Sequence, residues 1–217
     1  MIQKVNQVSL YYEKSGSGRP LLMVHGNGED HFIFREAIEI LKQHFTVYAL
    51  DSRDHGRSSR VTELHYEDMA EDVVQFLEAL DLRDVVFYGF SDGGIIGLLA
   101  ARKTDRIGRL IISGANLTPD GVMWYLKLLI RGLYLVKKDQ KLRLMLTEPN
   151  IRPEDLAEIT IPVTVIAGKR DVIREKETRS IAEAIPNARL ILLPGEGHGS
   201  YIIHKTKIAD IILRETE

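Results

Sequence analysis

The chain has 217 residues, enough for one large α/β domain and short for two. Hydrophobic residues (44%) and charged residues (28%) are ordinary for a globular chain, and a net charge of -2 supplies no reason to expect nucleic acid or an acidic membrane surface as partner. There is no cysteine, which excludes disulfides, thiolate metal sites and a cysteine nucleophile. Met1 to Asn6 lacks the apolar core of a signal peptide and no apolar run reaches membrane-spanning length, so a cytoplasmic protein is the expectation.

Val8 to Tyr12 alternates as a strand does, and Gly16 to Pro20 turns the chain. Leu21 to Val24 is a continuous apolar run, the pattern of a strand buried on both faces, and it ends at His25-Gly26-Asn27-Gly28. Phe32 to Gln43 carries a helical stripe. Phe45 to Leu50 is a further buried strand, ending in the polar loop Asp51-Ser52-Arg53-Asp54-His55-Gly56-Arg57-Ser58. Tyr66 to Leu80 is amphipathic, Val85 to Tyr88 is apolar, and a helix begins at Ile95. Arg109 to Ser113 is a fifth strand. Strands alternating with helices predict a mostly parallel sheet covered on both faces.

That rhythm breaks at Leu117 to Asn150, which reads as a helical cap insertion within a single domain. Val122 to Val136 is apolar almost all round and needs cover on most sides, either as a cap over the sheet edge or in a homodimer interface. Trp124 and Tyr125 are its bulky candidates for substrate contact. Lys137, Lys138, Lys141 and Arg143 read as a solvated face. Pro162 to Ala167 resumes the sheet and ends at Gly168-Lys169-Arg170-Asp171. A short helix, a last strand at Ala188 to Leu193, a loop through His198 and a helix from about Tyr201 to Arg214 complete the chain.

Phe87-Tyr88-Gly89-Phe90-Ser91-Asp92-Gly93-Gly94 is Gly-x-Ser-x-Gly between a strand and a helix, the context of a nucleophile elbow. Its bland alternative is a Gly-rich turn with an incidental serine. Ligands of parallel sheets bind beyond the carboxyl ends of the strands. A serine there needs a base, and the base needs a third group to set its tautomer. Ser91, Asp171 and His198 supply these in the order serine, acid, histidine. Asp51, also at a strand end, is the rival acid. The backbone N–H groups of Asn27 and Asp92 are placed to hold an oxyanion. His25 and His55 brace the site from below, whereas His31, His44, His65 and His204 read as surface or packing residues. The reading requires no cofactor and no metal.

These motifs resemble the α/β-hydrolase superfamily, within it the small esterase and lactonase type. The resemblance rests on His25-Gly26-Asn27, the Asp51 to Ser58 loop, the Gly89 to Gly93 elbow, Gly168-x-x-Asp171 and Gly197-His198, and spares only Leu117 to Asn150. It implies an eight-stranded, mostly parallel sheet, Ser91 as nucleophile, His198 as base, Asp171 as acid, and Asn27 and Asp92 as the oxyanion hole. Two departures stand out: Asp54 where family members often have Gly, and a cap cut to roughly two helices. Asp92 either favours the helix dipole or recognises a cationic substrate group, since Gly-Phe-Ser-Asp-Gly-Gly is similar to the string of α-amino-acid ester hydrolases.

The resulting expectation is a serine hydrolase that cleaves a small ester, thioester, lactone or activated amide through an acyl-enzyme. Acyl transfer, perhydrolysis or carbon–carbon cleavage on the same scaffold remains open, as does a non-catalytic binder of small ligands.

Overall fold

Alternation along the central strands explains the sheet. In the computed structural model, which describes residues 1–217, Val85 and Phe87 of β5 (Val85–Phe90) pack into one buried cluster, and Val86, Tyr88 and Phe90 into another. Strand β3 (Arg19–Val24) divides likewise, Leu22 and Val24 to one side, Leu21 and Met23 to the other. Successive side chains of a strand point to opposite faces, so an unbroken apolar run is a strand covered on both. One face is covered by α2 (Tyr66–Ala79), α3 (Asp92–Ala101) and α6 (Glu175–Ala184), the other by α1 (Arg35–Leu41) and α7 (Lys207–Thr216).

The sheet has eight strands in the order β1-β2-β4-β3-β5-β6-β7-β8. The others are β1 (Ile2–Val5), β2 (Val8–Gly16), β4 (Phe45–Leu50), β6 (Ile107–Ser113), β7 (Val163–Arg170) and β8 (Ala188–Gly197). Pairings from β4 through β8 are parallel; β1 with β2 and β2 with β4 are antiparallel. Strand β1 is missing from a residue-by-residue reading of the chain. It exists because Asn6 and Gln7 both take positive φ (41° and 64°), the hairpin turn whose twist matches the strands it joins.

Two boundaries differ from the expected ones. The last strand continues past Leu193 to Gly197. The last helix begins at Lys207, because Tyr201 to His204 forms turns that bury Tyr201 and Ile202. Helices α4 (Trp124–Lys137) and α5 (Gln140–Thr147) lie between β6 and β7. The cover that the apolar pattern of α4 calls for is absent from the single chain: only Ile130 of this helix is buried.

Candidate active site

Ser91 directly follows β5 and caps α3 at φ 52°, ψ -113°. A non-glycine residue held there costs on the order of 1–3 kcal/mol, so the surroundings must impose it. Two neighbouring strand ends do so. The Ser91 N–H donates to the Ser113 carbonyl (2.7 Å), and the Gly93 N–H donates to the His25 carbonyl (3.1 Å). Any Cβ on Gly93 would stand 2.1 Å from the Val24 carbonyl oxygen, which is why the elbow tolerates nothing larger.

Strand register brings the acid to the histidine. The last pair between β7 and β8 is Arg170 with Gly197, and the next residues are Asp171 and His198. His198 Nδ1 lies 2.7 Å from Asp171 Oδ1, and His198 Nε2 lies 3.1 Å from Ser91 Oγ. Asp171 is buried, and the Ile173 N–H fixes the same Oδ1 at 2.9 Å. The Phe90 ring packs against the imidazole, 5.0 Å between centroids. Serine, histidine and carboxylate are thus in hydrogen-bond sequence.

Asp51 is placed differently. It is fully buried, and its carboxylate accepts from the His31 N–H, the Arg57 N–H and the His31 ring. Burial opposes its ionisation, but these donors, His31 foremost, hold it below the usual carboxylate range. The bond to Asp51 in turn raises the His31 pKa. His31 is therefore a buried partner of a structural carboxylate. His25 braces the site: its Nδ1 meets the Gly26 carbonyl at 2.7 Å and its Nε2 accepts the Ser52 N–H at 3.1 Å. That pattern is the neutral Nδ1–H tautomer, and burial together with nearby His55 lowers the His25 pKa to about 4.

The Asn27 backbone N–H meets no acceptor within the protein. Asp92 is the first residue of α3, where N–H groups have no partner inside the helix. The side chains of these two residues are joined: Asn27 Nδ2 donates to Asp92 Oδ2 at 2.9 Å and to the Lys141 carbonyl of α5 at 3.3 Å. The Tyr66 hydroxyl donates to Asp92 Oδ1 at 2.7 Å. Burial pushes the Asp92 carboxyl upward, and the Tyr66 and Asn27 donors oppose that shift.

A cavity of about 180 Å³ opens at Ser91. Its apolar wall includes Val122, Leu126, Met145, Val172 and Ile203, and its acidic groups are Glu29, Asp92 and Glu148. Burial pushes the Glu29 carboxyl to about 7, while its Oε2 accepts the Gly26 N–H at 3.0 Å. Trp124 and Tyr125 do not line this cavity and are 64% and 53% exposed. Leu126 and Ile130 share the inner face of α4, and at about 100° per residue the two positions before Leu126 turn away from it.

Several pocket residues carry no signal in the sequence. Tyr66, Glu148, Leu126 and Met145 come from α2 and the segment between β6 and β7, far along the chain from Ser91. Glu29 had one: it lies three residues after Gly26 in the same loop. Asp54, in place of the usual Gly, sits at φ 63° and forms an ion pair with Lys141, tying the polar loop to α5.

A family profile described as the alpha/beta hydrolase fold matches residues 19–137, more than half of the chain. AB hydrolase superfamily protein YisY of Bacillus subtilis (strain 168) is 23% identical over 268 residues, covering 97% of this chain and 96% of that protein. Serine hydrolase BPHL of Homo sapiens is 35% identical over 121 residues, 52% of this chain and 41% of its own length. Among solved structures, the enol-lactonase from Burkholderia xenovorans LB400 superposes with TM-score 0.83 at 22% identity, covering 100% of both chains. Est816, described as an N-acyl homoserine lactone degrading enzyme, superposes with TM-score 0.82 at 21% identity over 99% of both. No helix is long and apolar enough to cross a membrane. With an eight-stranded sheet of this order, a serine on the β5 elbow and the profile match over most of its central strands, the chain belongs to the alpha/beta hydrolase fold family.

Proposed function

We propose that the protein is a serine hydrolase that cleaves a small carboxylic ester, thioester or lactone through an acyl-enzyme. The observation that carries this reading is the unbroken contact from Asp171 Oδ1 through His198 to Ser91 Oγ, at 2.7 and 3.1 Å. His198 Nε2 takes the Ser91 proton as Oγ bonds to the carbonyl carbon. Asp171 holds the Nδ1–H tautomer and stabilises the imidazolium. The carbonyl oxygen becomes an oxyanion facing the Asn27 and Asp92 N–H groups. His198 then protonates the leaving oxygen or sulfur, and the acyl–leaving-group bond breaks. Water repeats the sequence on the acyl-enzyme, giving up a proton to His198 and releasing the acid and free Ser91.

A cavity of about 180 Å³ is below the ~300–1,000 Å³ of drug-sized sites, which favours a short acyl group. The names of the solved neighbours, enol-lactonase and N-acyl homoserine lactone degradation, support ester and lactone chemistry.

A fluorophosphonate probe tests the reading, together with p-nitrophenyl esters of increasing acyl length. Wild type should label and Ser91→Ala should not. Turnover should be fastest with the shortest acyl groups. Folded wild-type protein that neither labels nor hydrolyses any ester of the series sinks it.

One observation favours a second, narrower reading, a cationic substrate group: the pocket carries three carboxyl groups and no lysine or arginine. An aminoacyl ester should then be cleaved faster than its deaminated analogue, and equal rates would remove the idea.

A further inference from the structure

Helix α4 presents its apolar side chains to solvent. Trp124, Tyr125, Leu128, Leu129, Leu135 and Val136 are each more than half exposed. An exposed apolar face of this extent on one element marks a docking surface. The charges on the helix itself have one sign. Between Trp124 and Lys138 stand Lys127, Arg131, Lys137 and Lys138, and no Asp or Glu. Lys127 pairs with Asp120 outside the helix, whereas Arg131, Lys137 and Lys138 have no carboxylate partner. Trp124, Leu128 and Leu135 also form one side of a groove of about 890 Å³, to which Arg131, Arg143 and Arg174 contribute guanidinium groups.

Of the two occupants such a face allows, charge selects one. In a symmetric pairing of α4 with α4 of a second copy, Arg131, at the middle of the helix and without a carboxylate partner, would approach its own copy with no acidic group on the helix to answer it. A surface that is apolar beneath and anionic above satisfies both halves of the pattern. The chain's net charge of -2 averages this local bias away.

We propose that the exposed face of α4 docks the protein on an anionic phospholipid surface. The helix is placed for it. Cap helix α5 is tied to the body at both ends, through Lys141 to Asn27 and Asp54 and through Glu148 to His65 and Tyr66. The outer side of α4 carries no such ties. Leu126, on the inner side of the same helix, lines the cavity at Ser91, so a docked α4 sets the cavity wall beside the lipid. The inference goes beyond the hydrolytic reading, and its test is binding, which succeeds or fails independently of turnover.

Trp124 is the only tryptophan, so intrinsic fluorescence reports the patch without a label. The full chain is mixed with phosphatidylcholine vesicles, and separately with vesicles in which about a third of the lipid is phosphatidylglycerol. Emission should shift to the blue and the protein should sediment with the anionic vesicles only, and high salt should release it. Arg131→Glu combined with Lys137→Glu should weaken binding by on the order of 100-fold or more, since each cation near such a surface contributes about 1 kcal/mol. Leu128→Gln with Leu135→Gln should also abolish binding, and unchanged melting curves would show both variants folded. No blue shift with either vesicle overturns the proposal, as does equal binding to both compositions. A blue shift that grows with protein concentration in the absence of lipid, at the mass of a dimer, assigns the face to a second copy and overturns it too.

Discussion

The imidazole of His198 occupies the place where a side chain on Gly114 would stand. A Cβ built on Gly114 lies 2.7 Å from His198 Cε1 and 2.9 Å from Nδ1, and the backbone there is at φ 65°. The end of β6 is thus shaped to the ring that spans Ser91 and Asp171. Gly114→Ala should push the ring off line. A misplacement of about 1 Å costs roughly 100-fold in rate, so kcat for a p-nitrophenyl ester should fall by about that factor with KM little changed. Full activity in Gly114→Ala would show that the ring has room it does not use.

The two buried carboxylates at strand ends should separate cleanly. Asp171→Asn leaves the fold intact and offers His198 the wrong partner, so kcat should drop by about 10,000-fold while the melting temperature barely moves. Asp51→Asn removes an acceptor for His31 and Arg57. It should lower the melting temperature, at a cost of about 1–3 kcal/mol, and leave the folded fraction active. The opposite ranking in kcat would exchange their roles.

Tyr66 reaches Asp92 from the start of α2, at 2.7 Å. Tyr66→Phe removes that donor from a buried carboxylate already pushed upward by burial, and the Asp92 pKa should rise further. Urea unfolding at neutral pH should show a loss of about 1–3 kcal/mol. An unchanged midpoint would mean that water or Asn27 replaces the hydroxyl.

Glu29 should impose a pH dependence on stability. Burial holds its carboxyl at about 7, against an ordinary value of 4.5. Between those values the folded chain keeps a proton that the unfolded chain has released. The stabilisation is full below about 4.5 and is lost as pH rises through about 7. Glu29→Gln has no proton to lose and keeps an acceptor for the Gly26 N–H. Relative to wild type it should gain up to about 3 kcal/mol between roughly pH 5 and pH 8. Parallel stability curves for the two proteins would place Glu29 in a wetter setting than its burial indicates.

Much of this was legible in the residues because it is local. Val85 to Tyr88 followed by Gly89-Phe90-Ser91-Asp92-Gly93 reads as strand, turn and helix since each preference is satisfied within a few residues, and the buried strands announce themselves by apolar runs. Trp124 and Tyr125 stand outside the cavity wall at Ser91 for a reason of the same scale. Bulk and apolarity on a helix do not say which side faces the cavity, and Leu126 and Ile130 took the inner face.

By itself, the order of amino acids determined the α/β rhythm and the sterically forced turn at Ser91, because short-range packing and glycine's missing Cβ act through neighbours in the chain. Only the tertiary structure decided that Asp171, and not Asp51, meets His198. That choice depends on β7 and β8 being adjacent and in register at Arg170 and Gly197, while Asp51, two strands from β5 on its other side, is consumed by His31. It also decided the wall of the cavity, the approach of Tyr66 to Asp92 and the bare face of α4. Each is set by contacts between segments far apart in sequence, whose energies no local pattern records.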